Sequence, residues 1–182
     1  MKKNYISLTV VLIAGLIALQ LQADKVTDAT AYAKMISKNG SDVEGFFDFK
    51  ETSKGVEVKY NLTGLPKNQS VGLHIHEKGD CSSSDAKSAG GHFAKVAPTG
   101  GTSKDFPERY AGDLPSIKAD AAGESTGTFI VPDLVITSTM SSTHSINNRA
   151  IIIHGGADNV NQKSAPRIAC GKIVALAKTI KN

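Results

Sequence analysis

The sequence predicts an all-β domain, an antiparallel sandwich or barrel. Short segments with period-two alternation recur along the chain, glycine and proline punctuate them, and no long amphipathic helix pattern interrupts.

The elements follow in order. Met1-Lys2-Lys3 is a short positive segment, Ile6 to Leu19 is almost entirely apolar, and Gln20-Leu21-Gln22-Ala23 ends on a small residue. That order predicts a secretory signal peptide, residues 1–23, cut after Ala23. The apolar run is about 14 residues long, short of the roughly 20 that a membrane-spanning helix needs. Cutting there takes 23 of the 182 residues and leaves 159 (24–182), which suits a single domain with a substantial core. Residues 24–29 are a lead-in. Thr30 to Ile36 is the first strand candidate, closed by Lys38-Asn39-Gly40-Ser41. Glu44 to Lys50 alternates up to Ser53-Lys54-Gly55. In Val56 to Leu62, Val56, Val58, Tyr60 and Leu62 share one face, and Leu65-Pro66 ends the run. Val71 to His76, Gly127 to Val131, Ala150 to His154 and Ile168 to Leu176 complete the strand candidates.

Two stretches are predicted as loops. Residues 77–115 are rich in Gly, Ser, Lys and Asp and are far longer than a hairpin connection, which marks a functional loop. Gly155 to Pro166 is shorter. Both adjoin the histidines and cysteines. Loss of Lys2 and Lys3 lowers the formal charge from +4 to +2, with lysines scattered along the chain. That balance argues against a nucleic-acid partner, which calls for a clustered basic face. Once the signal segment is removed, nothing predicts a membrane association. Cys81 and Cys170 are the two cysteines. In an exported chain they most simply form one disulfide, with two buried thiols as the alternative.

The chain has five histidines. His74 and His76 stand at i and i+2 in a strand candidate, so both imidazoles face one side. His92 follows Gly90-Gly91 in the long loop. His154 closes an apolar strand and precedes Gly155-Gly156. His144 stands apart, at the far end of that strand. An HxH pair alone is weak, and His92 or His154 alone could be a loop or core-edge residue. Together, imidazoles converging from separate strands suit one copper ion, which favours nitrogen ligands.

Five blocks occur in order: Gly72-Leu73-His74-Ile75-His76-Glu77-Lys78-Gly79-Asp80-Cys81, Ala89-Gly90-Gly91-His92-Phe93, Ala111-Gly112-Asp113-Leu114-Pro115, Ile153-His154-Gly155-Gly156-Ala157-Asp158-Asn159 and Pro166-Arg167-Ile168-Ala169-Cys170-Gly171. They resemble the copper/zinc superoxide dismutase family, most closely its bacterial exported members, over roughly residues 30–176. The resemblance implies an eight-stranded Greek-key sandwich with two functional loops. It implies His74, His76, His92 and His154 as copper ligands and Cys81–Cys170 as the disulfide. It also implies Arg167 as the arginine that draws the anionic substrate, superoxide, to the metal, and Asp158 as an aspartate linking two metal sites. The implied activity is conversion of superoxide to oxygen and hydrogen peroxide, with His92 and Arg167 as the catalytic side chains.

The departure is at zinc. Asp113 is retained, but Thr99 and Tyr110 stand where the family has two histidines, and neither is an ordinary zinc ligand. The loop from His154 to Arg167 is also short. Both features resemble the copper-only branch of the family, which implies one copper per chain and no zinc. Asp158, Asp113, Glu108 and Tyr110 are the candidates to orient His92 in place of zinc. A periplasmic copper-binding or copper-sequestering protein is the alternative function. Arg167 distinguishes the two, because storage needs no anion guide. The periplasm or the extracellular space is the expected location.

Overall fold

A computed structural model of the chain describes residues 29–93, 95–96, 109–132, 134–136, 144–157 and 165–176. The predicted signal peptide, Thr99, Glu108 and Asp158 lie outside these residues. Twelve strands run in chain order: β1 (Thr30–Lys34), β2 (Ile36–Ser37), β3 (Glu44–Thr52), β4 (Gly55–Thr63), β5 (Ser70–His76), β6 (Lys95–Val96), β7 (Arg109–Tyr110), β8 (Asp113–Lys118), β9 (Ser125–Val131), β10 (Ala150–His154), β11 (Arg167–Lys172) and β12 (Val174–Leu176). Among the described residues the one helical turn is a 3-10 segment, Lys87–Ala89, and no helix is long and apolar enough to cross a membrane.

Two five-stranded antiparallel sheets carry the fold. The first has the order β12-β1-β3-β4-β9 and the second β2-β11-β10-β5-β8, while β6 and β7 form a separate pair in the long loop. The predicted strand Thr30 to Ile36 divides at Met35, so β1 pairs in one sheet and β2 in the other. Ile168 to Leu176 divides at Ile173 in the same way. Taken as continuous segments, these two and the six strands β3, β4, β5, β8, β9 and β10 make eight. Besides the divides at Met35 and Ile173, the chain crosses between sheets at β2–β3, β4–β5, β8–β9 and β9–β10.

One expectation is corrected. The stretch predicted as loop up to Pro115 already enters a strand at Asp113. Proline cannot donate to a ladder, so Pro115 reads as a breaker. Here β8 is the outermost strand of its sheet, where the missing donor leaves no neighbour unpaired.

The core lies between the sheets. Val56, Val58 and Leu62 of β4 and Phe47 and Phe49 of β3 face Val71, Leu73 and Ile75 of β5 and Ile151 and Ile153 of β10. The second sheet also buries its other face. Ala150 and Ile152 of β10, with Cys170 of β11, pack against Ala86 and Ala89 of the long loop in a smaller cluster.

Candidate metal centre

Period two on β5 sends Val71, Leu73 and Ile75 into the core and His74 and His76 to the opposite, loop-covered face. On β10, Ile152 pairs with His74 and Ala150 with His76, so His154, two residues past Ile152, joins the same face. His92 arrives from the loop. Residues 91–93 pair with the end of β5 through Glu77 N–H to Gly91 O (3.0 Å) and Phe93 N–H to Ile75 O (2.8 Å), which sets His92 opposite His76.

Two register shifts complete the geometry. Between Ile153 and His154 the β10–β11 pairing slips, so His154 stands opposite Arg167 rather than Ile168. Bulges re-aim side chains next to sites. This one lets Ile168 reach the core and turns Arg167 to the histidine face. A second shift, between Val71 and Leu73 on β5, places His74 opposite Asp113.

Potential ligand atoms of His74, His92 and His154 all lie within 4.8 Å of one another. His76 stands beside this trio, its ring centroid 4.9 Å from that of His92 and 5.8 Å from that of His154. Among the described residues, His76 Nε2 and His154 Nε2 are buried and have no hydrogen-bond partner. Their Nδ1–H groups are spoken for: His76 donates to Gly90 O (3.0 Å) and His154 to Ala165 O (2.8 Å). That tautomer leaves a lone pair on each Nε2. Burial pushes the imidazolium of His76 down to about 3 and that of His154 to about 4; the nearby charge of Arg167 adds to both shifts. Both rings are therefore neutral at physiological pH, the form that binds metal. Orphaned buried nitrogens among neutral imidazoles fit a copper ion, which would supply the missing partner.

Asp113 is the orienting group. Its Oδ1 accepts from His74 Nδ1 (3.1 Å) and His92 Nδ1 (3.0 Å), and its Oδ2 accepts the Tyr110 backbone N–H (3.1 Å). Burial alone would raise this carboxyl, but the three hydrogen bonds outweigh it and hold it well below the usual carboxylate range. Of the four groups named for this role, Asp113 therefore meets His92 directly. The Tyr110 ring stands edge-on to His92 with centroids 5.5 Å apart.

Arg167 Nη1 donates to Ala86 O at 2.8 Å, and burial lowers its guanidinium. The disulfide Cys81–Cys170 is formed, with Cα atoms 5.7 Å apart. It ties the long loop to β11 three residues beyond Arg167. His144 is not in the histidine group.

Two residues that hold the site are not evident in the sequence. Arg149 is buried beneath the His92 loop, its guanidinium 3.4 Å from the Phe93 ring centroid. Its Nε donates to Ser145 O (2.6 Å) and its Nη1 to Glu77 O (2.9 Å). Glu77 in turn accepts the Gly91 N–H at 3.1 Å. The available signal was an arginine directly before an apolar strand.

Comparisons with known proteins agree on one relationship. A family model described as copper/zinc superoxide dismutase matches residues 43–173. A protein named superoxide dismutase (Cu-Zn) 2 from Aquifex aeolicus is 34% identical over 161 residues, covering 85% of this chain and 92% of the relative. A superoxide dismutase (Cu-Zn) from Escherichia coli is 33% identical over 144 residues, 71% of this chain and 78% of that one. Among solved structures, a SOD-like protein from Bacillus subtilis matches with a TM-score of 0.65 at 30% identity, covering 78% of this chain and 96% of that one. A double mutant of that SOD-like protein, tyrosine to histidine and proline to histidine, matches at 0.66 and 32%, covering 79% and 96%.

Proposed function

The chain belongs to the copper/zinc superoxide dismutase family, and on that premise we propose that it converts superoxide to oxygen and hydrogen peroxide at one copper ion held by His74, His76, His92 and His154. The observation that carries this reading is the pair of buried, partnerless Nε2 atoms of His76 and His154 beside the converging rings of His74 and His92. Copper, when bound, supplies the one-electron chemistry, taking an electron from one superoxide and returning it to another.

The chain's own residues do the rest. Arg167 holds a fixed positive charge on the histidine face, where it draws the anion and donates to it. His92 is the most exposed of the three histidines whose ligand atoms converge, its side chain 28% accessible against 6% for His74. It is therefore the group through which a proton reaches the substrate. Asp113 keeps the Nδ1 proton on His92 and fixes the ring direction, as partners of ligating histidines do.

The centre is a copper-only one. Tyr110 stands where relatives carry a zinc-binding histidine, and Asp113 is already engaged by two imidazoles. Two of the usual four zinc positions are filled by Thr99 and Tyr110. Export of the mature chain 24–182 as one domain, to the periplasm or the medium, completes the proposal. The Cys81–Cys170 disulfide supports an oxidising compartment. N-terminal sequencing of exported protein should begin at Asp24.

Elemental analysis after reconstitution with both metals, run beside a superoxide assay, tests the whole reading. One copper, dismutation and no chelation-resistant zinc are expected. Copper without dismutation would favour a sequestering protein. Near-stoichiometric zinc beside copper would overturn the copper-only assignment.

A further inference from the structure

Arg167 has two supports, its own main chain in β11 and the carbonyl of Ala86 that seats its guanidinium. The turn between β2 and β3 reaches both. Toward β11, Asn39 Nδ2 donates to Arg167 O at 2.9 Å, and the Lys38 N–H donates to Ile168 O at 2.8 Å. Toward the disulfide loop, Lys38 Nζ donates to Cys81 O at 2.6 Å, and the Asn39 N–H donates to Ser84 O at 3.0 Å.

Lys38 is only 9% exposed. Lysine is almost never buried without a partner, because its ammonium loses a strongly favourable hydration shell. Reversing the chain does not require that burial. Asn39 at φ 53° and Gly40 at φ 72° already make the turn. The buried ammonium therefore has another task, and the geometry shows it crossing from the turn to the loop that carries Ala86. The disulfide and the packing of Ala86 and Ala89 on Ala150 and Ile152 hold that loop against the second sheet, while Lys38 and Asn39 hold it from the side of the turn, at Cys81 O and Ser84 O. Without the turn's bonds the loop is free to shift along the sheet, and a shift would move the Ala86 carbonyl relative to Arg167.

We propose that Lys38 and Asn39 are positioning residues for Arg167, holding the disulfide loop and β11 at the spacing that aims its guanidinium at the substrate. This rests on the reading of Arg167 as the anion guide.

The test uses the full mature chain, copper(I)-loaded so that it is diamagnetic, with Lys38→Met, Asn39→Gly and Lys38→Arg. Met keeps the stem of Lys38 without the charge, Gly keeps the positive φ available without the Nδ2 donor, and Arg restores a cationic donor. The first readout is the NMR order parameter of the Arg167 Nε–H, assigned by its loss in Arg167→Ile. Arg149 serves as the internal reference. Both Lys38→Met and Asn39→Gly should lower the Arg167 value, leave Arg149 unchanged and leave copper content intact, and Lys38→Arg should recover most of the order. The second readout is a double-mutant cycle on dismutation. Lys38→Met should cost about tenfold in the native background, within the roughly hundredfold that an ångström of misplacement can cost. In the Arg167→Ile background it should cost nothing further. Unchanged Arg167 order, equal loss of order at Arg149, or the same rate loss in both backgrounds would each overturn the proposal. If Lys38→Met fails to fold, Asn39→Gly decides by the same readouts. If Arg167→Ile alone keeps full rate, the guide role of Arg167 falls, while the order parameters still decide whether the turn holds it.

Discussion

β4 and β10 have the same backbone period and opposite surfaces. β4 reads Gly-Val-Glu-Val-Lys-Tyr-Asn-Leu-Thr, with Val56, Val58 and Leu62 in the core and Glu57, Lys59 and Asn61 between them. β10 reads Ala-Ile-Ile-Ile-His, and every residue is buried. A sheet covered on one side alternates, and one covered on both sides does not. The outer cover of β10 is a loop rather than another sheet, so polar side chains carried by that face or by the loop are buried beneath it. His74, His76 and His154 sit there. Loss of alternation together with a buried polar residue marks the working face of this molecule, and clean alternation marks the scaffold.

The sharpest way to break this contrast is to remove one polar residue from each sheet's outer face. His154→Asn should lower copper affinity by more than the roughly 10–100-fold that loss of an orienting partner costs, and dismutation should disappear with the copper. Lys59→Asn, on the outer face of the first sheet, should leave copper content and rate unchanged. Copper measured after dialysis against a weak chelator reads both. Full copper retention by His154→Asn would remove it from the ligand set.

The loop cover should depend on its covalent tie. Cys81→Ser with Cys170→Ser opens a crosslink spanning 89 positions, for which the chain-entropy model gives roughly 4–5 kcal/mol. Urea unfolding of the metal-free double variant should show a loss of that order. Hydrogen exchange should rise first in residues 81–89 and only later in β3 and β4. Uniform acceleration across both sheets would mean that the loop is not a separate cover.

Much of this contrast could be read from the chain. Period two put His74 and His76 on one face, and Ala150 to His154 stood out as a continuous apolar strand. What could not be read is pairing between distant segments. The slip between Ile153 and His154 decides that Arg167 faces the histidines, and no local pattern encodes it. β8 was hidden by Pro115, which is acceptable only because that strand lies at a sheet edge. Asp113 could be named among four candidates, but its bond to His92 follows from the second slip, on β5. Nothing local in the sequence singles out Lys38 or Arg149, because burial of a long charged side chain depends on carbonyls contributed by distant segments.

The remaining test compares like with like on the two outer faces, and its two arms carry the smallest effects. Ile152 on β10 points away from the main core and still is fully buried, packed with Ala86, Ala89, Ala150 and Cys170. Ile152→Ala should therefore behave as a core truncation and cost about 2–5 kcal/mol. Ile130 on β9 also points away from the core, but it is 43% exposed and lies across from Glu57 with no layer above it among the described residues. Ile130→Ala should change stability by less than about 0.5 kcal/mol, as surface substitutions do. The two substitutions delete the same atoms from strands of the same period, so transfer chemistry cancels between them and what remains is the cover. Urea titrations of both variants, metal-free and with the disulfide intact, give that difference directly. A penalty at Ile130 matching that at Ile152 would mean that the first sheet is covered as well, by a part of the chain beyond the described residues or by a second molecule. The single-sided reading of that sheet would then be wrong.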